Sequence, residues 1–315
     1  MSELQIKSLT RADYESAHYD VLVSALGFEA RAVAIAKMLG NQSERKVAFG
    51  FDHNHSEAFE KNFNWFQLND FLLLIGLDSA QFQTNFDGEI VEPMLALSSK
   101  SVRRLAVDIS CFDRLRLALI VNSVKRLCAA GIETHFFYSL AAFTPPSLSK
   151  GRNEVAGPVH RSFAGRFLDP SRPLALVAGL GYEVGKVVGA AEYVQAMRVI
   201  ALVPESPIAE YEPEVIAANK LLIDDLPSQD VIRYKVDDPQ RIVATLDAIC
   251  NGLSSNHNLV LLPGGPKIFA LACLLTHLIH SDTSVWRMSS GTSIHPRDVQ
   301  ASGVTVALAL THVPD

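Results

Sequence analysis

The strongest constraint in this chain is that it repeats itself. Leu22-Val23-Ser24-Ala25-Leu26-Gly27-Phe28-Glu29 returns 154 residues later as Leu176-Val177-Ala178-Gly179-Leu180-Gly181-Tyr182-Glu183. The apolar run, the Leu-Gly pair, the aromatic residue and the glutamate keep their order. A second pair has the same offset: Leu105-Ala106-Val107-Asp108-Ile109-Ser110-Cys111-Phe112-Asp113 stands opposite Leu259-Val260-Leu261-Leu262-Pro263-Gly264-Gly265-Pro266-Lys267. Each copy is an apolar run that breaks into small or turn-forming residues and resumes as a helix-like apolar segment, over 115–121 and 269–275. Two matches at one spacing favour an internal duplication over two unrelated halves whose strand-to-helix turns share a composition.

Within each half, apolar runs of strand length alternate with segments of helical period. The first half predicts strands over 21–26, 46–51, 71–77, 105–109 and 133–139, with helices over 30–39, 56–66, a stretch ending near Leu97, and 114–130. The second predicts strands over 174–180, 198–203, 231–236, 259–262 and 284–288, with helices over 183–195, 208–222, 240–252 and 267–279. Such alternation implies right-handed βαβ crossovers and a parallel sheet. The fold class is therefore α/β, two tandem Rossmann-like doubly wound parallel sheets related by duplication. The proline- and glycine-rich stretch 144–173 breaks the rhythm, giving a first domain over 1–150, a connection over 151–173 and a second domain over 174–315. The connection is long for a bare linker, so part of it, 159–167, is expected to form an antiparallel edge strand or hairpin, with 304–311 as its counterpart at the C-terminus.

Composition narrows the functional classes. Hydrophobic residues at 48% and charged residues at 20% describe a chain that buries a sizeable core. Its longest apolar runs fall far short of the ~20 residues a membrane span needs, and Met1-Ser2-Glu3-Leu4-Gln5 does not read as a secretory signal. Cys111, Cys128, Cys250 and Cys273 are widely spaced, which suggests neither a disulfide framework nor a metal knuckle and fits a reducing cytoplasm. A formal charge of −6 argues against a bulk grip on nucleic acid and leaves anionic partners to be met locally.

In an open parallel sheet, ligands bind beyond the carboxyl ends of the strands, where the strand order reverses. With the order 3-2-1-4-5 that crevice falls between the first and fourth strands, which are the strands the repeated motifs follow. Gly27, Phe28 and Glu29 would then meet Asp108, Ser110, Asp113 and Arg114 at one crevice. Gly181, Tyr182 and Glu183 would meet Gly264, Gly265 and Lys267 at the other, with Arg287 and Ser289 at its edge. Gly264-Gly265 before a helix lets backbone N–H groups approach a ligand, and Lys267 adds a charge suited to phosphate; the bland alternative is a tight turn with a solvated lysine. Neither GxGxxG nor GxxxxGK[ST] is present, so no standard dinucleotide or P-loop cofactor site is expected. Glu29 and Glu183 suit ribose hydroxyls, or nucleophilic or acid/base work with Asp108 or Asp113 as partner; the alternative is a glutamate at a helix's first turn. Asp52-His53-Asn54-His55 reads as a polar loop rather than a metal site, and His160-Arg161 as an exposed pair.

The segment Leu262-Pro263-Gly264-Gly265-Pro266-Lys267-Ile268-Phe269-Ala270 resembles the strand, Gly-Gly-Thr-Lys and helix segment of CARF domains, the Rossmann-like sensors of cyclic oligoadenylates in prokaryotic immunity. Pro266 stands where that family usually has threonine, and Asp113 stands at the lysine position in the first copy. The resemblance implies a sensor that binds a small nucleotide-like ligand in antiviral defence and signals to a protein partner or effector. Two other readings stay open. One is an enzyme acting on a nucleoside or nucleotide, of hydrolase or glycosyl-transfer type, through the strand-end glutamates. The other is a structural subunit whose crevices are vestigial.

Overall fold

The computed structural model describes residues 3–53, 55–97, 102–145, 155–166, 169–289 and 297–313. The chain begins with β1 (Glu3–Leu9) and α1 (Arg11–Glu15), then β2 (Tyr19–Leu26), α2 (Ala34–Leu39), β3 (Ser43–Phe51), α3 (Phe59–Leu68) and β4 (Leu72–Leu77). It continues through α4 (Ser79–Phe86), α5 (Glu92–Ala96), β5 (Arg104–Asp108), α6 (Arg114–Ala129) and β6 (Glu133–Ala141). Next come β7 (Val155–Pro158), β8 (Leu174–Gly179), α7 (Lys186–Tyr193), β9 (Arg198–Glu205), α8 (Tyr211–Ala218), α9 (Lys220–Asp225) and β10 (Val231–Lys235). The last elements are α10 (Pro239–Leu253), β11 (Asn258–Leu262), α11 (Lys267–Ile279), β12 (Ser284–Ser289) and β13 (Ala301–Val313).

Local chemistry accounts for where these elements start. β2 and β5 are apolar on both faces because helices cover both sides of a parallel sheet, so Val21 to Val23 and Leu105 to Val107 are all buried. Asp78 and Gln81 form a capping box at the start of α4, and the Asp113 side chain accepts the Arg116 N–H at the start of α6. Pro239 opens α10, whose buried residues Ile242, Val243, Leu246 and Cys250 lie along one helical stripe.

The chain divides into two compact units, each an α/β sheet with helices on both faces. In unit 1 the order is β1-β13-β6-β5-β2-β3-β4, parallel from β6 to β4 and antiparallel at β13 and β1. In unit 2 it is β10-β9-β8-β11-β12-β7, parallel except for β7 against β12. Numbering the parallel strands within each unit by chain order gives 3-2-1-4-5 twice. β2 and β8 hold the same topological place, and so do β5 and β11, which is the arrangement the repeat at offset 154 requires. The cores match in kind: Leu22, Leu26, Ile35, Ala36 and Phe66 on one face of unit 1, and Leu176, Ala178, Val187, Ala201 and Val260 on one face of unit 2.

The domain boundaries differ from those read in the sequence. β13 does not border the second sheet: it lies between β1 and β6, with Leu310 opposite both Ile6 and Thr134. Unit 1 is therefore Met1–Ala142 with Ser293–Asp315, and unit 2, Phe143–Thr292, is inserted within it. The stretch read as a connection supplies β7, an edge strand of unit 2. That strand occupies Val155–Pro158 rather than 159–167, because His160 caps a 3₁₀ turn over Arg161–Phe163 that stops the extended run. All four cysteines are free thiols, and burial pushes Cys128 and Cys250 up to about 12. Among the described residues no helix is long and apolar enough to cross a membrane.

The insertion makes a direct prediction. A chain ending at Gln300 removes β13 and leaves β1 and β6 without the strand between them, while residues 143–292 keep every strand of unit 2. Circular dichroism should show cooperative melting of 143–292 alone and loss of the unit 1 transition in the truncated chain. A truncated chain that melts like the full one would show that β13 is dispensable.

Candidate ligand sites at the strand ends

β2 ends at Leu26, and the backbone of Gly27 passes so close to the loop after β5 that a Cβ on Gly27 would stand 3.3 Å from Cys111 Cβ. The two motifs of the first copy thus meet at the switch point. Here Glu29 and Arg31 form an ion pair at 2.5 Å, with side chains only 15% and 7% exposed. Arg31 Nη1 also donates to Ser139 O on β6 at 3.0 Å, and its guanidinium stands 5.8 Å from the centre of the Tyr138 ring. Because β5 lies between β2 and β6, this side chain reaches across the carboxyl end of β5. Burial by itself lowers the Arg31 pKa; Tyr138, Glu29 and Cys111 more than reverse that, and the group is raised above its ordinary value. The backbone beside it is held from the returning segment: Asp298 Oδ1 accepts the Ala30 N–H at 2.6 Å and Val299 O accepts the Arg31 N–H at 3.1 Å.

The other candidates of the first copy also have structural partners. Asp108 is buried and accepts the Ser110 N–H at 2.9 Å, and buried Ser110 accepts the Ser139 N–H at 2.8 Å, extending the β5–β6 ladder past the strand end. Asp113 is the N-cap of α6, and Arg114 is its half-buried first residue. Phe28 is half-buried, its carbonyl accepting the Ala58 N–H at 3.0 Å. An unforeseen arginine completes the edge. Arg116 is fully buried, donates to Gly50 O and Leu77 O at the ends of β3 and β4, and stands 3.8 Å from the Phe51 ring centre. Burial lowers its pKa against the opposing pull of Asp113, Asp52 and Asp78.

The second copy builds the same place from glycine. A Cβ on Gly264 would fall 2.1 Å from Gly179 O, and one on Gly265, where φ is +68°, would fall 2.3 Å from Leu180 O. The Gly-Gly pair is therefore required by the approach of two backbones at the ends of β8 and β11. This corrects the expectation that both N–H groups point at a ligand, since the Gly264 N–H donates to Leu262 O at 2.9 Å. Gly181 lies against Gly265, with a Cβ there 3.0 Å from Gly265 N. Lys267 is the first residue of α11 and is half-buried. Tyr182 stacks on Tyr211 at 5.8 Å with planes 16° apart. Glu183 is 52% exposed and pairs with Lys186 Nζ at 3.0 Å, a very different setting from that of Glu29. Arg287 is half-buried on β12 opposite Gly157; Ser289 ends that strand, and its side chain, like Ser290, Gly291 and Thr292, lies outside the described residues.

One repeated element escaped the sequence reading. Asn62 on α3 donates its amide to Gly27 O at 2.9 Å and Glu29 O at 2.8 Å, and Asn219 after α8 donates to Gly181 O at 2.7 Å. Both are buried, and each fixes the loop after the first parallel strand of its unit. The signal was a spacing of 35 residues from Gly27 in one copy and 38 from Gly181 in the other. His53 and His55 sit in the loop after β3, as expected, with Asn54 outside the described residues. Among the described residues no group of three His, Cys, Asp or Glu side chains could hold a metal ion. In comparisons with known proteins, neither the protein-family models nor the curated proteins gave a match.

The two glutamates should part company on substitution. Glu29→Gln leaves Arg31 as a buried charge short of its partner and is expected to cost about 3 kcal/mol of stability. Glu183→Gln breaks an exposed pair and is expected to cost under about 1 kcal/mol. Denaturant melts of the two variants check this; equal losses would show that Glu29 is not structural.

Proposed function

We propose that the chain binds a nucleotide-like ligand at the carboxyl edge of unit 2 and does not convert it. The observation that carries this reading is the convergence of both motifs of the second copy at the point where the strand order reverses, between β8 and β11. Around that point, Lys267 begins a helix of 13 residues, Lys186 begins another, and Tyr182 and Tyr211 offer stacked aromatic faces. Cations and helix N-termini suit phosphate, and an aromatic face suits a base. The segment Leu262 to Ala270, with its likeness to CARF domains, supports a sensor of this class acting in prokaryotic antiviral defence through a partner or effector.

The structural use of the first copy's carboxylates supports binding without turnover. Glu29 is paired, Asp108 closes a turn and Asp113 caps a helix. Glu183 favours the second reading, an enzyme acting on a nucleoside or nucleotide, because it remains half-exposed beside the same loop.

The test incubates the full chain with a panel of mononucleotides, dinucleotides and linear and cyclic oligoadenylates, measuring bound ligand and products together. We expect a ligand to be recovered intact, and Lys267→Ala to weaken its binding about tenfold, as loss of a charge-assisted hydrogen bond does, with folding retained. The effect should shrink as salt is raised. Products that disappear in Glu183→Gln while binding persists would make the enzyme reading the better one. Neither binding nor products would leave a structural subunit.

A further inference from the structure

The last turn of α11 carries a histidine whose two ring nitrogens both face carbonyl oxygens. His277 is buried in the last turn of that helix, with its ring 4.9 Å from the ring of Phe163. Nδ1 lies 2.8 Å from Thr283 O, and Nε2 lies 3.0 Å from Ser162 O. A carbonyl oxygen only accepts, so each contact needs an N–H on the ring, whereas a neutral imidazole carries one. We propose that His277 is a buried imidazolium that latches residues 155–166 to the body of unit 2, and that loss of its second proton opens the latch.

The setting favours the cation. The last turn of a helix presents the negative end of its dipole, and here two carbonyl oxygens take up the ring protons. Among the described residues, the charged and titratable groups on the neighbouring elements include His160, Arg161 and Arg166 on the latched segment, His280 and Asp282 after α11, and Asp247 on α10. Asp247 pairs with His280 at 2.6 Å and Asp282 with Arg166 at 3.4 Å. His160 Nδ1 accepts the Ser162 N–H at 3.3 Å. Among the described residues the segment's other ties include the four-residue β7, the Val159 N–H to Val285 O at 2.8 Å, and the Ser284 hydroxyl to Phe163 O at 3.5 Å. Loss of the second proton turns one ring nitrogen into an acceptor facing a carbonyl, so a hydrogen bond becomes a repulsion. Ser162 lies on an exposed turn, whereas Thr283 directly precedes β12 and is buried, so Ser162 is the partner that yields.

The sign of the pH effect follows. The folded chain holds this proton more tightly than the unfolded one, so the stabilisation is complete below the ordinary histidine value of about 6.5 and declines as pH rises through the native titration. Nitrogen-15 imidazole spectra of the full chain should show both His277 ring nitrogens protonated at about pH 7.5, where an ordinary histidine is mostly neutral. Hydrogen exchange in residues 155–166, corrected for its intrinsic pH dependence, should rise about tenfold as the ring deprotonates. His277→Gln, with a single amide to offer, should exchange at the raised rate at every pH. A neutral His277 ring at pH 7, or exchange that ignores the ring's titration, would overturn the proposal. If His277→Gln fails to fold, the spectra of the unaltered chain still decide.

Discussion

The sheet of unit 1 is complete only when residues 301–313 have returned to it. β13 contributes a ladder on each side, to β1 and to β6, so it is an interior strand although it comes last in the chain. Interior strands satisfy backbone groups on both edges, and leaving both edges open in the middle of a sheet is costly. Unit 1 therefore depends on a segment that the chain reaches only after passing through unit 2. The strands on either side of the insertion are themselves tied, Ala142 N–H to Gln300 O at 2.8 Å. Insertion at such a point, where departing and returning strands are neighbours, disturbs the host sheet little.

Much of this was legible in the sequence, and what was missed has a physical cause. The parallel strands and their helices were readable because burial on both faces writes a strand as a mostly apolar run between turn residues, as in Val21 to Leu26, which only Ser24 interrupts, or Leu259 to Leu262. The strand order was taken as the common 3-2-1-4-5 for such an alternation, and both sheets have it, so the two motifs of each copy stand at the ends of neighbouring strands where the order reverses. The partner of β13 was not readable. Pairing is decided by contacts between distant residues, and nothing local in 301–313 distinguishes a place beside β6 from a place beside β12. β1 was overlooked for a related reason: its apolar residues are Leu4, Ile6 and Leu9, and Leu9 breaks the alternation of the first two, which makes a weak signal over seven residues.

At the candidate sites, the motifs were legible and their partners were not. Glu29 was read as a carboxylate for ribose hydroxyls or acid/base work, because the sequence does not show that Arg31, two residues on, takes a rotamer that pairs with it and spans the end of another strand. Asn62 and Asn219 each lie a full helix away from the loop they hold, so no short motif contains both donor and acceptor. Gly264 and Gly265 were recognised as necessary, yet the atoms that require glycine belong to residues 179 and 180, more than 80 positions earlier.

The repeat then diverges in how it treats the carbonyls and charges at the switch point. The carboxyl ends of parallel strands leave C=O groups beyond the ladder, and these attract cations. In unit 1 the chain supplies its own: Arg31 takes Ser139 O and Arg116 takes Gly50 O and Leu77 O, so three of the five parallel strands end against a buried guanidinium. Removing those cations from water is repaid by carbonyl contacts, aromatic faces and, for Arg31, by Glu29. A ligand entering there would have to displace interactions already made. In unit 2 the equivalent edge is drawn together by glycine backbones, its glutamate stays half-exposed, and its lysines stand at the starts of α7 and α11. The same topology thus gives one edge where two buried arginines take up strand-end carbonyls, and one closed by glycine backbones with a half-exposed glutamate paired to a lysine beside it.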